Sequence, residues 1–172
     1  YQWLGAPLGS ADAAALSVAA SVLQRRLQQK WVDDQALCLA VGVGHEALER
    51  AGCFYVSLHP RAEHVDLDFK RMIQEEIEML GKGDISADEW NRVHHEDMAR
   101  LVALSTDPVS CAHAIAGTLT RFSPDCATNL FADAEYHAQI TAGELAAIVT
   151  KYLNPLRCSV QITRPLPEAE KV

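Results

Sequence analysis

The chain has 172 residues, 49% hydrophobic and 22% charged, and a net charge of -8. That length suits one domain, which buries roughly 70% of the unfolded chain's surface without disulfides or metal. The scattered acidic residues exclude a basic nucleic-acid surface, and no apolar run approaches the roughly 20 residues that span a bilayer.

In chain order, Tyr1 to Pro7 reads as an extended segment closed by Pro7 and Gly9. No signal peptide is visible, and a start at Tyr1 without Met reads as an excised or processed piece. Ser10 is a plausible N-cap with Asp12 in the first turn, and Leu16, Ala19, Val22, Leu23 and Leu27 line one face of a helix expected to reach about Lys30. Ala36–Val43 and Ala51–Leu58 read as a hairpin whose turn is the polar piece Glu46 to Arg50, with His59-Pro60 ending the second strand.

A second helix is expected from about His64 to Leu80, with Phe69, Met72, Ile73, Ile77 and Leu80 on one face and Gly81 just past its end. Ser86 and Glu89 predict a capping box for a third helix to about Leu104. Asp107-Pro108 opens a fourth. Thr141 and Glu144 form another capping box, on a helix ending before Asn154-Pro155. Arg157–Thr163 alternates as a strand, with Cys158, Val160 and Ile162 on the covered face. The order predicts an α+β fold, a mostly antiparallel sheet with helices layered on one face. Residues 1–163 read as one domain and 164–172 as a loose tail.

Chemistry-bearing constellations are sparse. The five cysteines, Cys38, Cys53, Cys111, Cys126 and Cys158, are never closer than 15 positions and form no C-x-x-C, so they read as buried free thiols. His94, His95 and Glu96 lie on one predicted helix, but adjacent imidazoles point about 100° apart and do not close on one ion. His45-Glu46-Ala47-Leu48-Glu49 begins like a zinc motif, yet has Glu49 where a second His belongs and falls at the predicted turn. His59 and His64 flank a loop, a weak candidate for a surface metal site. His113 and His137 stand alone in sequence. There is no phosphate-binding glycine loop and no G-x-S-x-G elbow.

Several stretches together resemble one family. They are Ala11-Asp12-Ala13-Ala14-Ala15-Leu16 with Arg26-Leu27, then Val32-Asp33-Asp34-Gln35-Ala36-Leu37, then Gly52-Cys53-Phe54-Tyr55-Val56. The helix with Ile73, Glu76, Ile77 and Leu80, followed by Gly83, Ser86 and Glu89, continues the series. Thr141, Glu144, Tyr152-Leu153-Asn154-Pro155 and Ser159-Val160 complete it. Their order and spacing resemble the C-terminal type of domain in the pitrilysin/insulinase family of zinc metallopeptidases, which includes mitochondrial processing peptidase.

The resemblance implies a processing-peptidase-like fold in which two homologous domains form each half of a clamshell around a peptide. It places an inverted zinc motif, H-x-x-E-H, on the first helix of the active domain; the equivalent helix here, Asp12 to Leu27, has neither His nor Glu. Active members also add an Arg and a Tyr near the start of the hairpin, and the matching positions hold Val32 and Cys38. The implied function is therefore a non-catalytic, substrate-enclosing domain that binds no cofactor and lacks catalytic residues. Zinc belongs to a homologous partner domain, on the same longer chain or a separate subunit. The implied setting is soluble, in a bacterial periplasm or cytoplasm. A scaffold or assembly subunit without proteolysis is the alternative, and an unrelated enzyme with a spatially assembled Cys–His site is a third reading.

Overall fold

The computed structural model describes residues 1–121, 136, 137 and 139–164. Three antiparallel strands, β1 (Gln2–Gly5), β2 (Cys38–Ala47) and β3 (Gly52–Pro60), form a sheet in the order β1-β3-β2. Trp3 lies opposite Phe54 and His45 opposite Phe54 on its other side, so the three strands share one inward face. Trp3, Phe54 and Val56 are buried on that face, and the Trp3 and Phe54 rings meet edge-on at 6.1 Å. Gln2, Leu4, Tyr55 and Ser57 alternate onto the other face, which no helix among the described residues covers; Leu4 is 74% exposed.

The helices are α1 (Ala11–Leu27), α2 (Phe69–Gly81), α3 (Ala87–Thr106), α4 (Pro108–Arg121) and α5 (Ala142–Tyr152). Ser10 caps α1 by accepting from Ala13 N at 3.1 Å, and the alanines of α1 let it lie close against β2. α5 packs on both α1 and α2, α3 packs on α1, and α4 packs on α3. The architecture is the expected α+β layer. The Thr141–Glu144 capping box is formed in both directions and starts α5.

Several local expectations are corrected. α1 stops at Leu27 and continues as a π-helix, Gln28–Asp34, in which Gln29 Nε2 donates to Asp34 at 2.8 Å and Trp31 enters the core against Phe69. α2 starts at Phe69, five residues later than read, because Asp68 caps it by accepting from Arg71 N at 3.1 Å. Gly81 is its last helical residue, and Gly83, at φ +76°, makes the left-handed turn instead. The hairpin strands run longer than the apolar run suggests, with only residues 48–51 left for the turn. Ser86 does cap α3, but Glu89 does not reach back; its carboxylate is taken by Arg26, Nη2–Oε2 2.7 Å.

The expected strand Arg157–Thr163 is reduced to one antiparallel bridge, Gln2 with Ser159, with N–O distances of 2.8 Å both ways. Pro155–Arg157 forms a 3-10 turn before it. After it, Val160 lies opposite Tyr1 in this register, and residues 161–164 join no ladder with the described residues. The supposed covered face is open accordingly: Ile162 is 71% exposed. Of the four described thiols Cys38 is buried, and Cys53, Cys111 and Cys158 are free and half-buried; Cys126 lies outside the described residues, as does the tail beyond Arg164.

Candidate functional site

α1 is the helix on which the resemblance would place a zinc motif in an active domain. Here its inward face is a packing surface: Ala13, Leu16, Ala19, Ala20, Leu23 and Leu27 are all buried. Its polar side chains are spent on tying it to its neighbours. Asp12 accepts from Tyr152 Oη at 2.8 Å and pairs with Lys151 Nζ at 2.6 Å, which joins α1 to α5. Partial burial pushes the Asp12 carboxyl up, but the bonds from Lys151 and Tyr152 outweigh it and hold the pKa below the usual carboxylate value. Ser21 donates to the buried Asp97 of α3 at 3.1 Å, Arg25 pairs with Glu96, and Arg26 takes Glu89 and the Asp84 carbonyl. Gln24 bonds the main chain of β2.

An open groove of about 400 Å³ runs between α1 and α3, bordered by Ser21, Gln24, Arg25, Glu96 and Asp97. Its lining contains neither Cys nor His, so it has no thiolate nucleophile and no imidazole base.

The histidines are placed apart. His94 stacks on Trp90 with centroids 5.9 Å apart, and His95 Nδ1 meets Asn91 O at 2.6 Å, so both serve their own helix. His59 is exposed on β3, His64 ends a 3-10 turn, His113 is exposed on α4, and His137 is buried. His45 and Glu46 lie in β2 rather than in a turn, because the hairpin closes later than the sequence suggested. The His45 imidazole lies over the main chain of the opposed glycines Gly5 and Gly52, and neither ring nitrogen makes a hydrogen bond of normal geometry. Burial pushes its pKa down, offset only in part by the main chain of Ala13 and Ala6. Among the described residues no three His, Cys, Asp or Glu side chains are grouped as a metal site.

Val32 and Cys38, at the positions matched to an Arg and a Tyr, flank the turn from the π-helix into β2. Cys38 has no exposed surface, and burial pushes its thiol pKa up, so it is neither a reachable contact nor a ready thiolate. Between them Ala36 adopts φ +51°, a left-handed conformation uncommon for a residue with a Cβ. Sequence reasoning missed the Gln24 contact altogether. A single Gln on a helix gives no signal that it will meet a strand edge, because the meeting is set by how α1 lies on β2.

Residues 1–96 match the family described as peptidase M16 inactive domain. No curated protein matches the chain. Three similar solved structures are bacterial. A protease from Helicobacter pylori superposes with a TM-score of 0.80 at 16% identity, over 91% of this chain and 38% of that one. The inactive peptidase domain of a candidate zinc protease from Bordetella parapertussis gives 0.74 at 15% identity, over 99% of this chain and 94% of that one. A peptidase M16 inactive domain from Pseudomonas fluorescens gives 0.69 at 19% identity, over 91% and 38%. At these identities the likeness is one of fold. The chain spans little more than a third of the Helicobacter and Pseudomonas proteins.

Proposed function

Because the chain belongs to the peptidase M16 inactive-domain family, the pitrilysin/insulinase type, we propose that it is the non-catalytic, substrate-enclosing domain of a zinc metallopeptidase. The observation that carries this reading is the use made of α1. In the helix equivalent to the zinc helix of an active domain, the inward positions are alanine, leucine and valine, and Asp12, Ser21, Gln24, Arg25 and Arg26 are bonded to α5, α3, β2 and the loop before α3. Peptide hydrolysis of this type needs a Lewis-acid metal and a general base, and that helix presents neither.

The partner is a homologous domain bearing the zinc motif, on the same longer chain or on a separate subunit, and the substrate is a peptide held between the two. Among the described residues, the helices cover one sheet face and leave Leu4 and Tyr55 exposed on the other. No helix among the described residues is long and apolar enough to cross a membrane. The similar structures are bacterial, in keeping with a bacterial periplasm or cytoplasm.

The test has two arms. The chain alone shows no peptide hydrolysis at any zinc concentration, and hydrolysis by the zinc-bearing partner depends on its presence. Chelator-sensitive hydrolysis by this chain alone overturns the reading. A partner that works equally well without the chain leaves the second reading, a scaffold or assembly subunit. One observation favours that second reading over an assisting catalytic role: Cys38, which the resemblance sets against a substrate-binding Tyr, is sealed in the core.

A further inference from the structure

The Gln24 side chain leaves α1 and meets the free side of β2. Its Nε2 donates to Val41 O at 3.1 Å, and its Oε1 accepts from Val43 N at 2.7 Å. β2 is one edge of the three-stranded sheet, so these two main-chain groups are ones that an added strand would take. A primary carboxamide carries a donor and an acceptor in one plane, as a peptide group does, and here it stands in for a neighbouring strand.

β2 needs such cover. It spans ten residues, Cys38–Ala47. It contains neither Pro nor Lys, the residues that usually blunt an edge, and its one acidic residue, Glu46, lies near the far end. Leu39 is 63% exposed on it. A register shift between Cys38 and Ala40 disturbs the start of the strand but not its middle. The opposite edge is less at risk, because β1 has four residues and Gln2 already pairs with Ser159. A long, largely apolar edge with few charges is the usual template for edge-to-edge pairing between copies.

We propose that Gln24 closes the β2 edge to strand addition by a second copy of this chain. The proposal stands apart from the peptidase reading, since it concerns only how α1 and β2 meet. The test compares the 172-residue chain with Gln24→Met, which keeps side-chain length and helix propensity but removes both polar atoms. Exchange of the Val43 amide proton should quicken by about tenfold in Gln24→Met, as loss of one hydrogen bond implies. Sedimentation should show concentration-dependent dimers of Gln24→Met under conditions where the parent is monomeric. Adding Leu39→Lys should return the variant to monomer, because a lysine on the edge opposes pairing. Unchanged Val43 exchange, a Gln24→Met chain that stays monomeric throughout, or association that Leu39→Lys fails to reverse would each overturn the proposal. The last outcome also identifies a variant that associates through loss of its fold.

Discussion

The hydroxyl of Tyr152, in the last turn of α5, donates to the carboxylate of Asp12, in the first turn of α1, across 2.8 Å and 140 positions of sequence. The bond joins two of the stretches that carried the family resemblance. It accounts for the acidic residue at the head of an otherwise alanine-rich helix. The carboxylate also sits where the positive end of the α1 dipole favours it.

Breaking this link should loosen α5 from α1. Tyr152→Phe is expected to cost about 1 kcal/mol, the usual net value of one such hydrogen bond. Lys151→Ala should do less, because the Lys151 side chain is largely in solvent, where its pairing is screened. A double-mutant cycle of Asp12→Ala with Tyr152→Phe, read by urea unfolding, should show coupling; strictly additive losses would refute the link.

The His45 imidazole is expected to make stability depend on pH. Its folded pKa is pushed down from the ordinary value by burial. The unfolded chain therefore binds the proton more readily, at about pH 6.5. The contribution is fully present above that value and is lost as pH falls through the folded pKa. Urea midpoints measured from pH 7.5 downward should decline over this window, and His45→Gln should remove that part of the slope. An unchanged slope in the variant would locate the pH dependence elsewhere.

Gly52 is a position where only glycine fits. A Cβ there would stand 2.4 Å from Ala6 O and 2.6 Å from His45 Nε2. The first neighbour is main chain and cannot swing aside. Gly52→Ala should destabilise the fold by about 2 kcal/mol, in the range of overpacked sites. The glycine that opens the Gly-Cys-Phe stretch is thus explained by close packing of β3 against the segment after β1. A thermal midpoint equal to the parent's would contradict this account.

Glu76 on α2 is almost wholly buried, and Lys30 Nζ meets its carboxylate at 2.6 Å from a half-exposed position. The asymmetry predicts unequal costs. Lys30→Met leaves a buried carboxylate without its cation and should cost about 2 kcal/mol, between the values for exposed and buried pairs. Glu76→Gln leaves a lysine that can turn to water, and should cost less. Unfolding curves for the two variants decide the matter, and the reverse order would be inconsistent with the burial.

The sequence by itself determined the elements whose causes are local. Ser10, Ser86 and Thr141 cap the helices they were expected to cap, since each bond closes within three residues. The hairpin followed from two apolar runs around a short polar piece, and the want of metal ligands on α1 was legible as a plain absence of His and Glu. Tertiary structure decided what depends on a distant partner. Glu89 looked like half of a capping box, but Arg26 lies within reach and a charged guanidinium outcompetes the main-chain N–H of its own cap. Arg157–Thr163 alternates as a strand should, yet alternation shows only which face would be buried; a ladder also needs a partner strand in register, and after the 3-10 turn Pro155–Arg157 the segment makes a single bridge, Ser159 with Gln2. The closure of β2 by Gln24 arises the same way: it depends on the position of α1 over the sheet edge, a relation between two surfaces that no spacing within either segment records.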